Sequence, residues 1–313
     1  MTIAQPSSLT LEALMTQHRE RAWFFVRSGG NLGDELIYAG AENLADRLGL
    51  QRQRFDAASF AAAQLPAGAA IYLHGGGGLN PWSSGRAYKN LRRAVDVRDA
   101  LVVQGPQTCE VESTKNREIL RATLTDSCAR EIHVYARERV SEDYLGTVLP
   151  ENIHLHLDHD TALHLNQAEL LRLGGLSQRP TGRYTLLVNR RDDEAPHDPE
   201  RRFKDVVDMD PAYYAHSLGH WIRIHAYASR IITNRLHSAI GGILLGVPVR
   251  LTGGSYHKNH SVWDYSLRRM GLEWCGSFGD ELTVDNVPQR LPHWLAKSWK
   301  IQRLMMRLRG VPA

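Results

Sequence analysis

Short apolar runs that end in glycine or polar residues recur along this chain, each followed by a stretch of helical periodicity. That alternation restricts the fold more than any other feature. Residues 23–26, 69–73, 101–103, 132–136, 184–188 and 230–232 read as strands, with helices at 8–21, 36–48, 86–98, 112–123 and 162–175. Strands alternating with helices at this spacing predict an α/β fold with parallel, doubly wound sheets. In such sheets ligands bind at the carboxyl ends of strands, where helix N-termini turn positive dipole ends toward anions.

The Gly-, Pro- and polar-rich segment 174–182 separates two such runs. It predicts an N-terminal domain over 1–175 and a second over 183–285, and 313 residues suffice for two cores. Residues 286–313 remain as a C-terminal extension. Within it, Trp294, Leu295, Ile301, Leu304, Met305 and Leu308 lean to one side of a helix over 292–309, largely opposite Lys297, Lys300, Arg303 and Arg307. This is the pattern of an interfacial anchor on an anionic membrane surface, and equally of a terminal helix packed across two domains. The net charge of +4 is modest and no long basic run occurs, which argues against nucleic acid and fits anionic substrates. The three cysteines, Cys109, Cys128 and Cys275, form no CxxC pair, so a reducing cytoplasm is the expected location, with peripheral membrane association if the C-terminal helix anchors. Neither a signal peptide nor a membrane-spanning run is evident.

The strand ends carry the chemistry. Residues 231–240 place Thr233, Asn234, Arg235 and His237 where a buried strand meets a helix N-terminus, and Pro248 opens the next strand. Arginine supplies fixed positive charge and histidine a proton near neutral pH; a surface-bridging arginine and a helix-packed histidine are the plain alternative. The first strand runs into the glycine-rich turn Arg27-Ser-Gly-Gly-Asn-Leu-Gly-Asp-Glu35, which suits an anion cradle but matches neither the GxGxxG nor the GxxxxGK[ST] pattern. The strand over 69–73 ends in His74-Gly-Gly-Gly-Gly78, similar to the oxyanion loop of α/β-hydrolases; no GxSxG elbow accompanies it, which excludes that reading. His154, His156, Asp158 and His159 match the HxHxDH string of dinuclear zinc sites, and three of them would share a strand face; a polar face on an exposed strand accounts for them equally. Ser141 reads as the N-cap of a helix over 141–145.

Taken in order, these phrases resemble the polysaccharide pyruvyl transferase family. Thr233-Asn-Arg-Leu-His237 is similar to the family's T-[DN]-R-L-H turn, Gly30-Asn-Leu-Gly-Asp34 to G-N-x-G-D, and Leu73-His-Gly-Gly-Gly-Gly78 to its glycine strand end. Gly105-Pro-Gln107, Ala136-Arg-Glu-Arg-Val-Ser141, Asp160-Thr-Ala162, the Arg190, Asp192, Glu194 pattern and Ser255-Tyr-His-Lys258 extend the likeness across most of the chain. Leu79-Asn-Pro-Trp82 and Gly254 depart from the family pattern at expected cleft edges, which bears on acceptor identity.

The resemblance implies two Rossmann-like domains facing a cleft, as in GT-B glycosyltransferases, with the donor on the C-terminal half. It implies transfer of a carboxyethylidene group from phosphoenolpyruvate to a sugar of an exopolysaccharide or its lipid-linked precursor. On that reading His237 is the general acid, Arg235 holds the phosphate, Arg190 and Lys258 assist with the donor's anionic groups, and Asn31, Gly33, Asp34, Gly75, Gly76 and Gly77 line the acceptor side. Asp34 is a candidate to take a proton from a sugar hydroxyl, or a helix cap. No metal or cofactor is demanded by that chemistry. A nucleotide-sugar glycosyltransferase of the same architecture and a non-catalytic polysaccharide-assembly subunit are the alternatives.

Overall fold

The computed structural model describes residues 9–80, 85–111, 113–190, 192 and 203–283. The helix expected over 292–309 and Glu194 of the Arg-Asp-Glu pattern lie outside the described residues. The described residues divide into two compact units, one with those of 9–30 and Ile37–His164, the other with Asn31–Leu36 and those of 165–283. The division assigns the short segment Asn31–Leu36 to the second unit, although its neighbours in sequence belong to the first.

In the first unit, strands β1 (Trp23–Val26), β2 (Arg52–Phe55), β3 (Ala70–Leu73), β4 (Leu101–Gln107), β5 (Glu131–Ala136) and β6 (His154–Leu157) form one sheet in the order β2-β1-β3-β4-β5-β6. Every pairing is parallel. Because strand side chains alternate between faces, Phe24, Val26, Ile71, Leu73, Val102, Ile132 and Val134 enter one core, while Trp23, Phe25, Ala70, Tyr72, Leu101, Val103 and Tyr135 enter another. The second core includes Leu11, Leu14 and Met15 of α1 (Leu11–Gln17) and Ala41, Leu44 and Ala45 of α2 (Glu35–Leu48). The first includes Phe60 of α3 (Ala57–Ala62) and apolar residues of α4 (Arg86–Val95), α5 (Thr114–Leu124) and α6 (Arg139–Val148). Helix α6 starts earlier than the sequence suggests. Glu138, not Ser141, is its N-cap, accepting the Ser141 N–H, while Ser141 Oγ accepts the Cys109 N–H at 2.8 Å.

The second unit contains α7 (Gln167–Leu173), β7 (Tyr184–Val188), β8 (Val206–Asp208), α8 (Pro211–Tyr214), α9 (Leu218–Ala226), β9 (Ala228–Thr233), α10 (Leu236–Leu244), β10 (Val249–Leu251), α11 (Lys258–Val262) and β11 (Glu273–Trp274). Its five strands run parallel in the order β11-β10-β9-β7-β8. Both sheets are thus doubly wound, as the alternation predicts. Beyond α11 the helical course widens into a π turn at Trp263–Leu267 and then tightens into a 3-10 turn at Arg268–Met270. Among the described residues no helix is long and apolar enough to cross a membrane.

Candidate functional site

A doubly wound sheet reverses its winding at one strand pair, and the crevice outside the carboxyl ends of that pair is where ligands bind. In the second unit the pair is β7 and β9. Val188 lies level with Thr233, so Asn189-Arg190 and Asn234-Arg235 emerge side by side. Asn234 is fully buried and works as a brace: its Oδ1 accepts the Arg190 N–H at 2.7 Å, and its Nδ2 donates to Asn189 Oδ1 at 3.1 Å. Thr233 Oγ1 donates to the Val188 carbonyl at 3.1 Å and accepts the Arg235 N–H at 2.9 Å. Asn259 Nδ2 donates to the carbonyls of Asn234 and Thr252, at 2.7 and 3.0 Å. That tie brings its neighbour Lys258, the first residue of α11, to the same end of the sheet, where the ammonium sits 5.2 Å from the Tyr256 ring centre.

Arg235 is buried between two carboxylates. Its Nε donates to Asp210 Oδ2 at 2.7 Å, and its Nη2 lies 2.6 Å from the same oxygen and donates to Asp192 Oδ2 at 3.0 Å. The guanidinium lies over Tyr213, 5.3 Å from the ring centre, and the Tyr213 hydroxyl donates to Asp192 at 3.2 Å. Arg190 pairs through Nε with the other oxygen of Asp192. Burial opposes the charge on Arg235, but Asp210 and Asp192 outweigh it and raise its pKa. Burial likewise opposes ionised Asp192, yet Arg190 and Arg235 bring its pKa down to about 2. Asp210 is more deeply enclosed, and burial holds it above the usual carboxylate range despite the adjacent guanidinium. Two fixed cations therefore face two carboxylates.

Asp210 was not among the candidates read from the sequence. It sits after the three-residue strand β8, capping α8 by accepting the Ala212 N–H at 3.1 Å. Aspartate before Pro211 is a helix-start signal, and that signal alone does not mark the residue as a counter-ion.

His237 occupies the first turn of α10 and is largely buried. Its Nδ1 lies 3.4 Å from Asp34 Oδ1. The Asn31–Asp34 turn is held from within: Asp34 Oδ2 accepts the Asn31 N–H at 2.8 Å, and Asn31 Oδ1 accepts the Gly33 N–H at 2.8 Å. A Cβ on Gly33 would lie 2.9 Å from Asn31 Oδ1 and 3.2 Å from His237 Cβ, so glycine is what lets the turn close against the histidine. Asn31, Gly33 and Asp34 thus group with His237 in the second unit.

Gly75, Gly76 and Gly77 lie in the first unit, after β3, beside its own winding reversal between β1 and β3. Gly75 has a packing reason: a Cβ there would meet the Pro106 carbonyl oxygen at 2.3 Å. Gly76 donates to the Pro106 carbonyl at 3.0 Å and accepts from Thr108 at 2.9 Å, locking the ends of β3 and β4 together. His74 is enclosed by Phe25, Tyr38 and Tyr72, and burial, with Arg27 nearby, lowers its pKa to about 3, which keeps the ring neutral. Two other phrases of the resemblance meet in a buried ion pair. Arg137 Nη1 contacts Asp160 Oδ2 at 2.6 Å and Arg137 Nε donates to Thr108 Oγ1 at 2.8 Å, while Asp160 Oδ1 accepts the Ala162 N–H.

The HxHxDH string does not assemble as its pattern suggests. His154 and His156 share a face of β6, but Asp158 lies past the strand and accepts the N–H groups of Leu11 and His159, each at 2.7 Å. His156 stacks on Tyr135 and bonds His133 instead.

The family model described as Polysaccharide pyruvyl transferase matches residues 31–256, more than two thirds of the chain. No curated protein matches. Among solved structures, the chain is similar to a functionally uncharacterised protein, KP1_0663, of Klebsiella pneumoniae, with a TM-score of 0.62 and 19% identity over 85% of this chain and 97% of that one. At that identity the likeness concerns the fold.

Proposed function

We propose that this chain, which belongs to the polysaccharide pyruvyl transferase family and is a pyruvyltransferase, takes its group from phosphoenolpyruvate and installs it as a ketal on two hydroxyls of one sugar. The family implies a polysaccharide acceptor; a lipid-linked repeat-unit precursor, met in the cytoplasm at an anionic membrane surface, is the form we propose. The observation that carries the donor assignment is the pair of arginines at the ends of adjacent strands, with His237 in the helix turn that follows. Phosphoenolpyruvate brings a phosphate and a carboxylate, and planar guanidinium groups suit both.

In this reading Asp192 and Asp210 fix the guanidinium of Arg235, which is assigned to the phosphate, with Arg190 and Lys258 at the donor's remaining anionic oxygens. The amino end of α10 adds its dipole. Nδ1 of His237 faces Asp34, and Nε2 is the atom we assign to protonating the methylene carbon of the enol. That carbon becomes a methyl group and its neighbour an electrophile. One sugar hydroxyl adds there, phosphate departs, and the second hydroxyl closes the ketal. The two hydroxyl protons balance the one taken up by carbon and the one carried off by hydrogen phosphate. Asp34 serves as a positioning residue, and the Gly75–Gly77 strand end of the first unit is assigned to the acceptor in a GT-B-like division of labour. The chemistry requires no metal or cofactor.

The test is incubation of the full chain with phosphoenolpyruvate and a lipid-linked oligosaccharide. Phosphate release matched by a ketal methyl resonance is expected. Phosphate-free mixtures with every exopolysaccharide acceptor tried, or sugar transfer from a nucleotide donor, would overturn the proposal.

A further inference from the structure

The face of β5 and β6 that carries His133 and His154 gathers more ligand-type side chains than the transfer chemistry uses. Glu131 and His133 follow one another on one face of β5, and His154 is level with His133 on the edge strand β6. One ligand atom from each of Glu131, His133 and His154, a carboxylate oxygen and two imidazole nitrogens, lies within 4.8 Å of the other two. The rings of His133 and His154 stack with centres 4.8 Å apart.

His133 is the informative member. It is 3% exposed, its Nδ1 lies 2.8 Å from His156 Nε2, and its Nε2 is buried without a hydrogen-bond partner. Glu131 Oε1 stands 3.2 Å from that nitrogen, outside hydrogen-bond alignment. If Nδ1 donates to His156, the Nε2 lone pair faces a carboxylate oxygen, two acceptors in contact. A proton on Nε2 has no acceptor in line. A cation coordinated by both atoms resolves the contact. It also makes Nδ1–H the donor to His156, the outer hydrogen bond that metal-bound imidazoles commonly make.

We propose that Glu131, His133 and His154 form a binding site for a divalent transition ion of the zinc class, with an open fourth position. Two imidazoles and one carboxylate are a ligand set zinc accepts, and imidazole disfavours magnesium or calcium. Tetrahedral bonds of about 2.0–2.1 Å need ligand atoms roughly 3.3 Å apart. Glu131 and His133 already meet this, and His154, exposed on the edge strand, closes the remainder by side-chain rotation. The trio sits at the amino ends of β5 and β6, opposite the carboxyl ends of the same sheet. The ion therefore pins the edge strand to its neighbour and takes no part in the transfer reaction.

The full-length protein, stripped with chelator, is titrated with Co2+ and Zn2+ while visible absorption, calorimetry and thermal unfolding are followed. One equivalent should bind, giving the visible bands of four-coordinate cobalt and raising Tm. His154→Ala and Glu131→Gln, both at accessible positions, should each weaken binding at least tenfold and remove the Tm gain. His216→Ala tests the separate His216–His220 pair and should leave binding unchanged. Absence of stoichiometric binding, affinity unaltered in both His154→Ala and Glu131→Gln, or loss of binding in His216→Ala overturns the proposal.

Discussion

Replacing Arg235 with methionine keeps the length of the side chain and deletes its charge. Asp192 retains Arg190, so the burden falls on Asp210, whose side chain is 8% exposed. Breaking a buried ion pair from one side costs about 3–5 kcal/mol, and the structure sets a ceiling on that figure. Asp210 escapes the penalty by taking a proton, and the cost of holding it neutral rises about 1.4 kcal/mol per pH unit above the unfolded-state pKa of 3.8. At about pH 7 the ceiling is about 4 kcal/mol, and at about pH 5 about 1.6 kcal/mol. The sign follows from the direction of the shift. A carboxyl raised in the fold loses nothing below its unfolded pKa and loses stability as pH rises toward its folded value. Asp192, with a pKa of about 2, gives stability that is lost only as pH falls below its unfolded value, outside this window. Urea unfolding followed by tryptophan fluorescence should therefore show a gap between wild type and Arg235→Met that widens from about pH 5 to about pH 7, by at most about 2.7 kcal/mol because the raised pKa of Asp210 in wild type takes up part of that slope. A gap of equal size at both pH values, or one below about 1 kcal/mol at pH 7, would refute the claim that Arg235 neutralises a buried carboxylate.

Asp34→Asn keeps an acceptor for the Asn31 N–H and removes the charge facing His237; kcat should fall about tenfold or more with KM for phosphoenolpyruvate little changed, as steady-state kinetics will show. Gly75→Ala drives a methyl group into the Pro106 carbonyl and should cost about 2–3 kcal/mol. Gly146→Ala, inside α6 with its nearest neighbour 3.7 Å away, should stabilise by about 0.5–1 kcal/mol; thermal unfolding compares the two. Asp160→Asn leaves Arg137 buried without its counter-charge and should cost about 3–5 kcal/mol in chemical denaturation.

The alternation of strands and helices was enough to foresee two parallel sheets, because each strand buried on both faces is apolar throughout. It did not reveal β2, whose Arg52 and Arg54 sit on a sheet edge and pair with Glu42 and Asp46 of α2, so the strand carries no apolar run. Nor did it reveal β8, three residues long on the opposite edge of its sheet, and with β8 went Asp210. Helix α9 ends at Ala226 because Ala228 already pairs with Tyr184 in the sheet, so β9 begins before the expected strand at 230–232. Arg190, Arg235 and Lys258 were legible as strand-end cations, but what restrains Arg235 was not. Phrases such as Arg137 with Asp160 recur in the resemblance for a structural reason: they form buried supports. The pairing of Asp34 with His237 joins residues about two hundred positions apart, which no local pattern encodes.

The central claim is that carbon protonation by His237 starts the transfer of a phosphoenolpyruvate-derived group. Running the reaction in D2O and reading the product methyl group by mass and NMR tests it most directly. The account predicts a ketal methyl bearing one deuterium, one phosphate released per ketal, and no product from a folded His237→Ala variant. A fully protonated methyl group, or ketal formation by His237→Ala at the wild-type rate, would contradict it.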